Sequence, residues 1–335
     1  MLKNSSILIK IRSRLWFAIV QFSKSKNYYP KLYKSYWHLQ IFKKRGQNSN
    51  HIYYTAMPNP GAGIGHQISN WIAGYWFSKQ FGLRFAHVPF SSDSWENFFG
   101  FGEDELTLEG LIAKGYKKVK LPLFDENNPV AFDLQKRIIK SYSGQKVVFV
   151  AEQDQFYQDQ FGVITDIQQK FYASKARKNE QLQFATDYFN IAIHIRRGDI
   201  VLGLENQNSN LQFRWQDNSY FEKVLTQVIA NAKTSKPIAI YLFSQGNKKD
   251  FPEFEKFSNL HFCMNWTAHD SFLHMVFSDV LITSKSSFSY KPALLSKGIK
   301  ICPKDFWHGY PKEEDWILVD ENGMFEKNGY NLMIN

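Results

Sequence analysis

The stretch IAIHIRRGDI, residues 191–200, decides how this sequence folds. It begins as an apolar β-strand and runs directly into two arginines, a glycine and an aspartate. Alternate residues of a strand point to opposite faces, so Ala192, His194 and Arg196 share one face and the isoleucines between them share the other. A strand that is almost entirely apolar is typical of a parallel sheet covered on both faces. The arginines then fall at the carboxyl end of that strand.

The rest of the second half repeats the pattern of short apolar strand and helix. Four further strands are predicted: IAIYLFS (238–244), LHFCMN (260–265), DVLITS (279–284) and IKICP (299–303). Between the first two strands of this half, residues 219–236 show helical periodicity, and Ser219 with Glu222 has the spacing of a capping box at the start of that helix. Alternating strands and helices predict a doubly wound parallel sheet.

The first half contains a second unit of the same kind. A strand (51–57), a loop rich in glycine and proline (58–67), a helix (67–82) and a strand (83–90) form a βαβ unit, and KVVFVAE (146–152) is another strand. Residues 91–145 are predicted to lack regular secondary structure. The predicted fold class is α/β, with two Rossmann-like, doubly wound domains facing a cleft. The predicted organisation is a basic N-terminal arm (1–50), a first domain (51–185) and a second domain (186–335).

Charge is distributed unevenly along the 335 residues. Thirteen of the 41 Lys and Arg residues precede the first acidic residue, Asp93, and the other 28 stand against 31 acidic residues, a net charge of −3. The overall charge of +10 therefore belongs to the N-terminal arm. Because a nucleic-acid-binding domain carries its basic face on the folded body, this distribution argues against a nucleic-acid partner.

The arm also raises the question of a membrane. Its longest apolar run, LWFAIV (15–20), is far shorter than the roughly 20 residues that span a bilayer. Basic residues near an anionic leaflet and interfacial Trp and Tyr predict peripheral attachment through residues 1–45, on the inner membrane face. The alternative is a solvated basic arm. The two cysteines, Cys263 and Cys302, lie in strand-like runs, and we expect buried thiols in a reducing, cytoplasmic compartment.

The arginine segment has the composition of a phosphate site. Two guanidiniums at a strand end suit a phosphate or pyrophosphate, because their planar forks match its oxygens. Gly198 allows close approach of backbone or ligand, and Asp199 can orient one arginine. The alternative reading of Arg196, Arg197 and Asp199 is a purely structural ion pair.

Two later segments add groups to the same edge of the sheet. Ser284, Ser286 and Ser287 follow a strand and precede a helix predicted over 288–296, and hydroxyls with amides at a helix N-terminus bind anions. Ordinary N-capping explains the serines equally well. Asp270 begins another helix, where it is either a cap or a carboxylate that accepts the N1 and N2 hydrogens of a guanine.

The glycine loop of the first domain does not match a dinucleotide fingerprint. Gly61, Gly63 and Gly65 alternate instead of following G-x-G-x-x-G, which disfavours a NAD enzyme. Gly65, His66 and Gln67 can instead present hydrogen-bond donors across the cleft. No metal-binding motif is visible, so we expect no metal ion, and the arginines would neutralise a departing nucleotide.

Four segments together resemble one enzyme superfamily. HIRRGD (194–199) resembles the H-x-R-R-x-D motif of the α1,2-, α1,6- and protein O-fucosyltransferases. TSKSSFSYKPALL (283–295) and IYLFSQ (240–245) resemble the serine-rich segment and the strand end of the α1,2 enzymes, and GIGHQ (63–67) resembles their glycine loop. Gln245 and His66 depart from the acidic residue and the asparagine usual at their positions.

The resemblance implies a GT-B fold, GDP-fucose as the donor, no metal and inversion at the anomeric carbon. It implies that Arg196 holds the β-phosphate, that Arg197 either supports Arg196 or reaches the donor itself, and that Ser286 and Ser287 contact the pyrophosphate. It implies guanine contacts for His194 and Asp270. Glu205 follows the arginine motif at nearly the spacing of a glutamate in the α1,6 enzymes and is a candidate general base, with Asp199 a weaker one.

The predicted function is transfer of fucose from GDP-fucose to a glycan acceptor in polysaccharide or glycolipid synthesis. Two rivals remain. One is a metal-free GT-B transferase with another nucleotide sugar, and the other is a basic module that binds membranes or nucleic acid without catalysis.

Overall fold

A computed structural model describes residues 51–58, 61–121, 124–151, 159–201, 209–264, 266–325 and 332–333, with isolated positions between 11 and 41. The predicted N-terminal arm and Glu205 therefore lie outside the described residues, apart from those isolated positions.

The first sheet has four parallel strands in the order β2-β1-β4-β3. The strands are β1 (Ile52–Ala56), β2 (Arg84–Phe85), β3 (Lys117–Lys120) and β4 (Val147–Ala151). The two central strands, β1 and β4, are buried at every position, which agrees with their apolar sequences. The helices of this half are α1 (Ile64–Gln80), α2 (Asp93–Phe99), α3 (Leu108–Ala113), α4 (Pro129–Lys140) and α5 (Ile164–Ala173), and a 3₁₀ turn follows at Lys175–Lys178.

The second sheet has six parallel strands in the order β11-β10-β9-β5-β7-β8. They are β5 (Phe189–His194), β7 (Ile238–Phe243), β8 (Leu260–Phe262), β9 (Val280–Ile282), β10 (Ile299–Pro303) and β11 (Trp316–Val319). From β5 the chain first builds the sheet in one direction and then returns to place β9 on the other side of β5. The strand order therefore reverses between β5 and β9, the position where open parallel sheets bind ligands.

Helices cover both faces of this sheet. They are α6 (Ser209–Gln212), α7 (Asn218–Asn231), α8 (Ala268–Phe277) and α9 (Ser287–Leu295), and 3₁₀ turns lie at Lys248–Asp250 and Pro252–Phe254. A small separate pair joins β6 (Ala232–Lys233) to β12 (Leu332–Met333). The isoleucines of β5 pack in one core with α7, and Ala192 packs in a second core with α8 and α9. The alternation along β5 therefore divides its side chains between two cores, as predicted.

The two halves of the chain are in direct contact. Ala192 of β5 belongs to the same hydrophobic cluster as Tyr54 of β1 and Trp71 of α1. Helix α5 bonds the second half, because Gln168 Nε2 donates to the Leu294 carbonyl oxygen at 3.1 Å. The predicted α/β fold with parallel sheets is confirmed, and the predicted domain boundaries stay a prediction.

Four local predictions are wrong. Residues 91–145 contain three helices and a strand rather than irregular chain, and the strand predicted over 83–90 is reduced to β2. Helix α1 begins at Ile64, three residues earlier than predicted. The predicted capping box is absent, because α7 begins at Asn218 behind Asp217, and the Glu222 carboxylate accepts hydrogen bonds from Lys256 and Thr226 instead.

Candidate functional site

A cleft of about 890 Å³ opens beyond the carboxyl ends of β5, β7, β9 and β10, with the N-terminus of α1 on its other side. Its floor contains the whole segment between His194 and Arg197, and its walls include the start of α9. The reversal of strand order between β5 and β9 therefore coincides with the cleft, as the geometry of open parallel sheets predicts.

Arg196 is held at the cleft by two partners from different parts of the chain. Its Nη2 donates to Asp199 Oδ2 at 2.7 Å, and its Nη1 donates to Ser286 Oγ at 3.2 Å. The Asp199 side chain is 58% exposed. This ion pair is therefore open to solvent on the cleft side, and Arg196 can exchange or share its partners with a bound anion.

Arg197 is buried under the same loop and serves a different purpose. Its Nη1 donates to the Arg196 carbonyl oxygen at 2.9 Å and its Nη2 to Asn218 Oδ1 at 2.5 Å, while its guanidinium lies 4.2 Å from the centre of the Trp215 ring. Burial lowers the pKa of Arg197 to about 10, against the opposing effect of nearby carboxylates. The side chain stays charged at neutral pH and fixes the backbone that presents Arg196.

His194 is neutral at the floor of the cleft. Its Nδ1 lies 2.9 Å from Ser284 Oγ, at the end of β9. Burial, reinforced by the charges of Arg196 and Arg197, lowers its pKa to about 3. A neutral imidazole can donate or accept a hydrogen bond to a ligand without adding a third positive charge to this part of the site.

The two serines occupy the first turn of α9. Ser286 is the N-cap, and its buried hydroxyl accepts from the Phe288 amide at 3.2 Å as well as from Arg196. Ser287 is the first residue of the helix and lines the cleft. N-capping and the arrangement of an anion site are both present here, because the cap hydroxyl is itself bonded to the arginine.

The glycine loop meets α9 across the cleft. Gly65 and His66 both line the cavity, and the backbone of Gly65 lies directly against Ser287. Gln67 does not line the cavity: it is buried, and its side chain bonds Ser91 and the Ala62 carbonyl oxygen. The predicted donor at position 67 is thus used to hold the loop.

Asp270 is not itself a cavity-lining residue, although Ala268 and Ser271 on the same helix do line the cleft. It lies in the first turn of α8, where its amide donates to Thr267 Oγ at 3.0 Å and its Oδ2 accepts from the same hydroxyl at 2.6 Å. Thr267 is the N-cap of α8, and Asp270, the third residue of the helix, takes part in the capping through these two bonds. In the loop before α8, Trp266 lines the cleft as well.

Gly198 and Gln245 form one contact at the edge of the cleft. Gly198 has φ of +63°, and a Cβ there would overlap the Gln245 amide. A residue other than glycine would be strained by its backbone and blocked by this side chain. Glycine is therefore the residue that suits the turn directly after the two arginines.

Several cavity-lining residues, among them Arg214 and Trp307, are not predicted from the sequence. Arg214 and Trp307 lie in loops outside the four motifs, and both line the cavity, with the Arg214 guanidinium 4.9 Å from the centre of the Trp307 ring. The cleft also has an apolar end at the tips of β7 and β8, formed by Phe243, Met264 and Trp266. No local pattern marks Arg214, which lies between two helices, and Trp307 could have been a candidate only as an aromatic residue in a loop after a strand.

Neither metal clusters nor membrane-spanning helices are found in the described part of the chain. No group of three or more His, Cys, Asp or Glu side chains there is arranged to hold a metal ion. No described helix is long and apolar enough to cross a bilayer. Both cysteines are buried free thiols, and burial raises the pKa of each to about 12.

Comparison with known proteins gives matches only at the level of structure. No family model and no curated protein matches the sequence. The apo crystal structure of POFUT1 matches with a TM-score of 0.48 and 13% identity, covering 75% of this chain and 96% of that one. The fucosyltransferase NodZ from Bradyrhizobium matches with a TM-score of 0.40 and 10% identity, covering 74% and 94%. A mutant of Arabidopsis thaliana FUT1 in complex with GDP matches with a TM-score of 0.46 and 10% identity, covering 89% and 80%.

Proposed function

We propose that this chain is a metal-independent, inverting fucosyltransferase that transfers fucose from GDP-fucose to a glycan hydroxyl. One observation carries the proposal: the Arg196 guanidinium is fixed between Asp199 and Ser286 at the cleft, where the strand order of a parallel sheet reverses. This is the position and the chemistry expected for a nucleotide diphosphate.

The donor's diphosphate fits the centre of the cleft. Arg196 offers its fork, and the first turn of α9 offers the hydroxyls of Ser286 and Ser287 with the positive end of the helix. Arg197 cannot turn freely toward a ligand because it is bonded to Asn218 and packed on Trp215. Its role is to hold the loop under the diphosphate.

The purine fits the apolar end of the cleft. Phe243, Met264 and Trp266 offer flat or polarisable surfaces at the tips of β7 and β8. The loop that carries Trp266 leads into α8, whose first turn contains Asp270. Its carboxylate accepts one bond from Thr267 and keeps acceptor capacity for the N1 and N2 hydrogens of guanine.

The reaction requires one bond to break and one to form. The bond between the fucose anomeric carbon and the β-phosphate oxygen breaks, and the bonding electrons leave with GDP. The acceptor oxygen forms the new bond from the opposite face of the sugar, and its proton passes to a base or to water. Arg196 stabilises the charge that develops on the departing phosphate, which is the step where fixed donors contribute most.

The general base remains a proposal from the sequence motif. Glu205 is the candidate, and it lies outside the described residues. Asp199 is a poorer candidate because its carboxylate is bonded to Arg196. A carboxylate that acts as the general base must lie within hydrogen-bond distance of the acceptor hydroxyl.

A donor hydrolysis screen tests the function. Purified protein is incubated with GDP-fucose, GDP-mannose, UDP-glucose and UDP-N-acetylglucosamine, and the released nucleotide is measured. We expect release from GDP-fucose alone and a loss of about a hundredfold in Arg196→Lys, because a lysine keeps the charge and loses the fork. Arg137→Lys, on the exposed side of α4, is the matched control. Hydrolysis of a different donor alone would identify another transferase, and hydrolysis of none would refute the enzyme.

The acceptor and the location belong to the same proposal. We place the enzyme in polysaccharide or glycolipid synthesis at the cytoplasmic face of a membrane, on the basis of the basic, aromatic-rich arm. The test is sedimentation with vesicles containing 30% phosphatidylserine. Binding that is lost on deletion of residues 1–45 supports attachment, and equal sedimentation of the shortened chain contradicts it.

A further inference from the structure

The cleft contains a polar and aromatic end that the donor site does not use. Trp307 follows β10 and is 48% exposed, and Arg214 lies in the loop between α6 and α7. Both line the same cavity as Arg196. The Trp307 ring contacts Phe306, at 4.2 Å between ring centres, and the part of the indole that remains exposed at the cleft can pack against a ligand.

The contact between these two residues does not use the hydrogen-bond donors of Arg214. The Arg214 guanidinium lies over the Trp307 ring, 4.9 Å from the ring centre, and this contact does not use the N–H donors of the guanidinium. Within the described ranges its side chain makes no hydrogen bond or ion pair. Burial and the neighbouring charge of Arg196 lower the pKa of Arg214, and Asp199 opposes them. The cation is thus partly desolvated, close to a second cation, and not neutralised by a described partner.

The order of strands places this pair beside the reacting end of the donor. The cleft follows the sheet edge from the apolar end at β8, past the arginines after β5 and the serines after β9, to Trp307 after β10. With the purine at the apolar end and the diphosphate at Arg196 and Ser286, the part of the cleft beyond the diphosphate is the part that Trp307 and Arg214 line. An acceptor must approach there.

We infer that Trp307 and Arg214 form an acceptor subsite for an anionic sugar, in which the indole stacks on the apolar face of the sugar ring and the guanidinium binds its carboxylate or phosphate. The inference rests on the proposed function, since it uses the donor's place in the cleft. It extends that function by predicting that the acceptor sugar is negatively charged. A bidentate pair between guanidinium and oxyanion is the strongest hydrogen-bonded interaction available to Arg214.

The test is binding of small anionic sugars to the full chain saturated with GDP, measured by saturation-transfer NMR titration. The probes are methyl β-D-glucuronoside, its neutral twin methyl β-D-glucoside, and glucose 6-phosphate. We expect at least one anionic probe to bind about tenfold more tightly than the glucoside, and the better of the two identifies the acceptor's group as carboxylate or phosphate. Equal affinity for charged and neutral probes, or no binding of any probe, overturns the inference.

Variants separate the two contacts. Arg214→Gln should abolish the preference for the charged probe, and Trp307→Ala should weaken the charged and the neutral sugar by a similar factor, about tenfold, with Trp307→Phe retaining most of the affinity. The matched control is Phe213→Ala, because Phe213 adjoins Arg214, is 79% exposed and does not line the cleft. If Arg214→Gln weakens GDP more than the anionic sugar, Arg214 belongs to the donor site and the inference is wrong. A wild-type chain that fails to bind GDP refutes the proposed function, whereas GDP binding without sugar selectivity refutes the subsite alone.

Discussion

Gly65 lies against Ser287, and there is no room for a side chain between them. A Cβ at position 65 would stand 2.9 Å from Ser287 Cβ and 3.0 Å from its carbonyl carbon. These residues begin α1 and α9, which belong to opposite halves of the chain and form facing walls of the cleft. The width of the cleft at the proposed diphosphate position therefore depends on the absence of a side chain at position 65.

Substitution of this glycine should widen the cleft. Gly65→Ala must displace α1 from α9 by several tenths of an ångström, so we expect a loss of about 1–3 kcal/mol in the free energy of unfolding and of up to about a hundredfold in GDP-fucose hydrolysis. Gly63→Ala is the matched control, because a Cβ there meets nothing within 4 Å. Denaturation curves and hydrolysis rates for both variants check this, and a Gly65→Ala enzyme equal to Gly63→Ala contradicts it.

The adjacent arginines should respond differently to the same substitution. Arg197→Lys loses the bond to Asn218 and the stack on Trp215, and we expect it to lower the free energy of unfolding by about 1–3 kcal/mol. Arg196→Lys changes a solvent-open pair and should lower that free energy by less than about 1 kcal/mol while reducing turnover. Urea denaturation gives both values. A greater loss of stability in Arg196→Lys would reverse the assigned roles.

The buried imidazole should make stability depend on pH. The pKa of His194 is near 6.5 in the unfolded chain and about 3 in the folded one, so between these values the unfolded state binds a proton that the folded state does not. Its effect on stability is absent above pH 6.5 and grows more unfavourable as the pH falls toward 3. From pH 7 to pH 5 we expect wild type to lose about 2 kcal/mol more than His194→Gln, measured by urea denaturation. Equal losses would mean that the folded protein also protonates His194.

A second buried titratable side chain connects α9 to α1. Lys291 is 1% exposed, its Nζ donates to Gln160 Oε1 at 2.7 Å, and Gln160 Nε2 donates to the Ser69 carbonyl oxygen at 3.2 Å. Burial lowers the pKa of Lys291 well below its usual value. We expect Gln160→Ala to cost about 1–3 kcal/mol of unfolding free energy because it leaves the ammonium without this acceptor. In a Lys291→Met background the same change should cost less, and an identical cost in the two backgrounds would show that the bond contributes nothing.

The sheet and the position of the cleft follow from local sequence. Period-2 alternation places the isoleucines between 191 and 195 on one face, and the carboxyl-end rule places Arg196 at a ligand site. The contact between Arg196 and Ser286 needs more, because it joins residues 90 positions apart and exists only since β9 pairs with β5. The carboxyl-end rule predicts only that both segments lie at one edge of the sheet, and the resemblance to fucosyltransferase motifs agrees with that prediction.

The incorrect predictions have physical causes. The glycines at 61–65 predict a loop, whereas α1 begins at Ile64. Gly65 lies inside this helix, and its missing side chain allows the close contact with Ser287 and does not mark a turn. That early start directs Gln67 into the interior, away from the cleft. No local sequence pattern predicts the contact between Trp307 and Arg214, because it depends on how two loops that are distant in sequence lie in the folded chain.

Calorimetric titration of GDP tests the central claim most directly. The full chain should bind GDP saturably and without added metal, and Arg196→Lys should weaken binding at least about tenfold while Arg137→Lys binds as wild type does. Absence of saturable GDP binding by wild type, or undiminished binding by Arg196→Lys, would contradict the claim that this arginine receives the diphosphate.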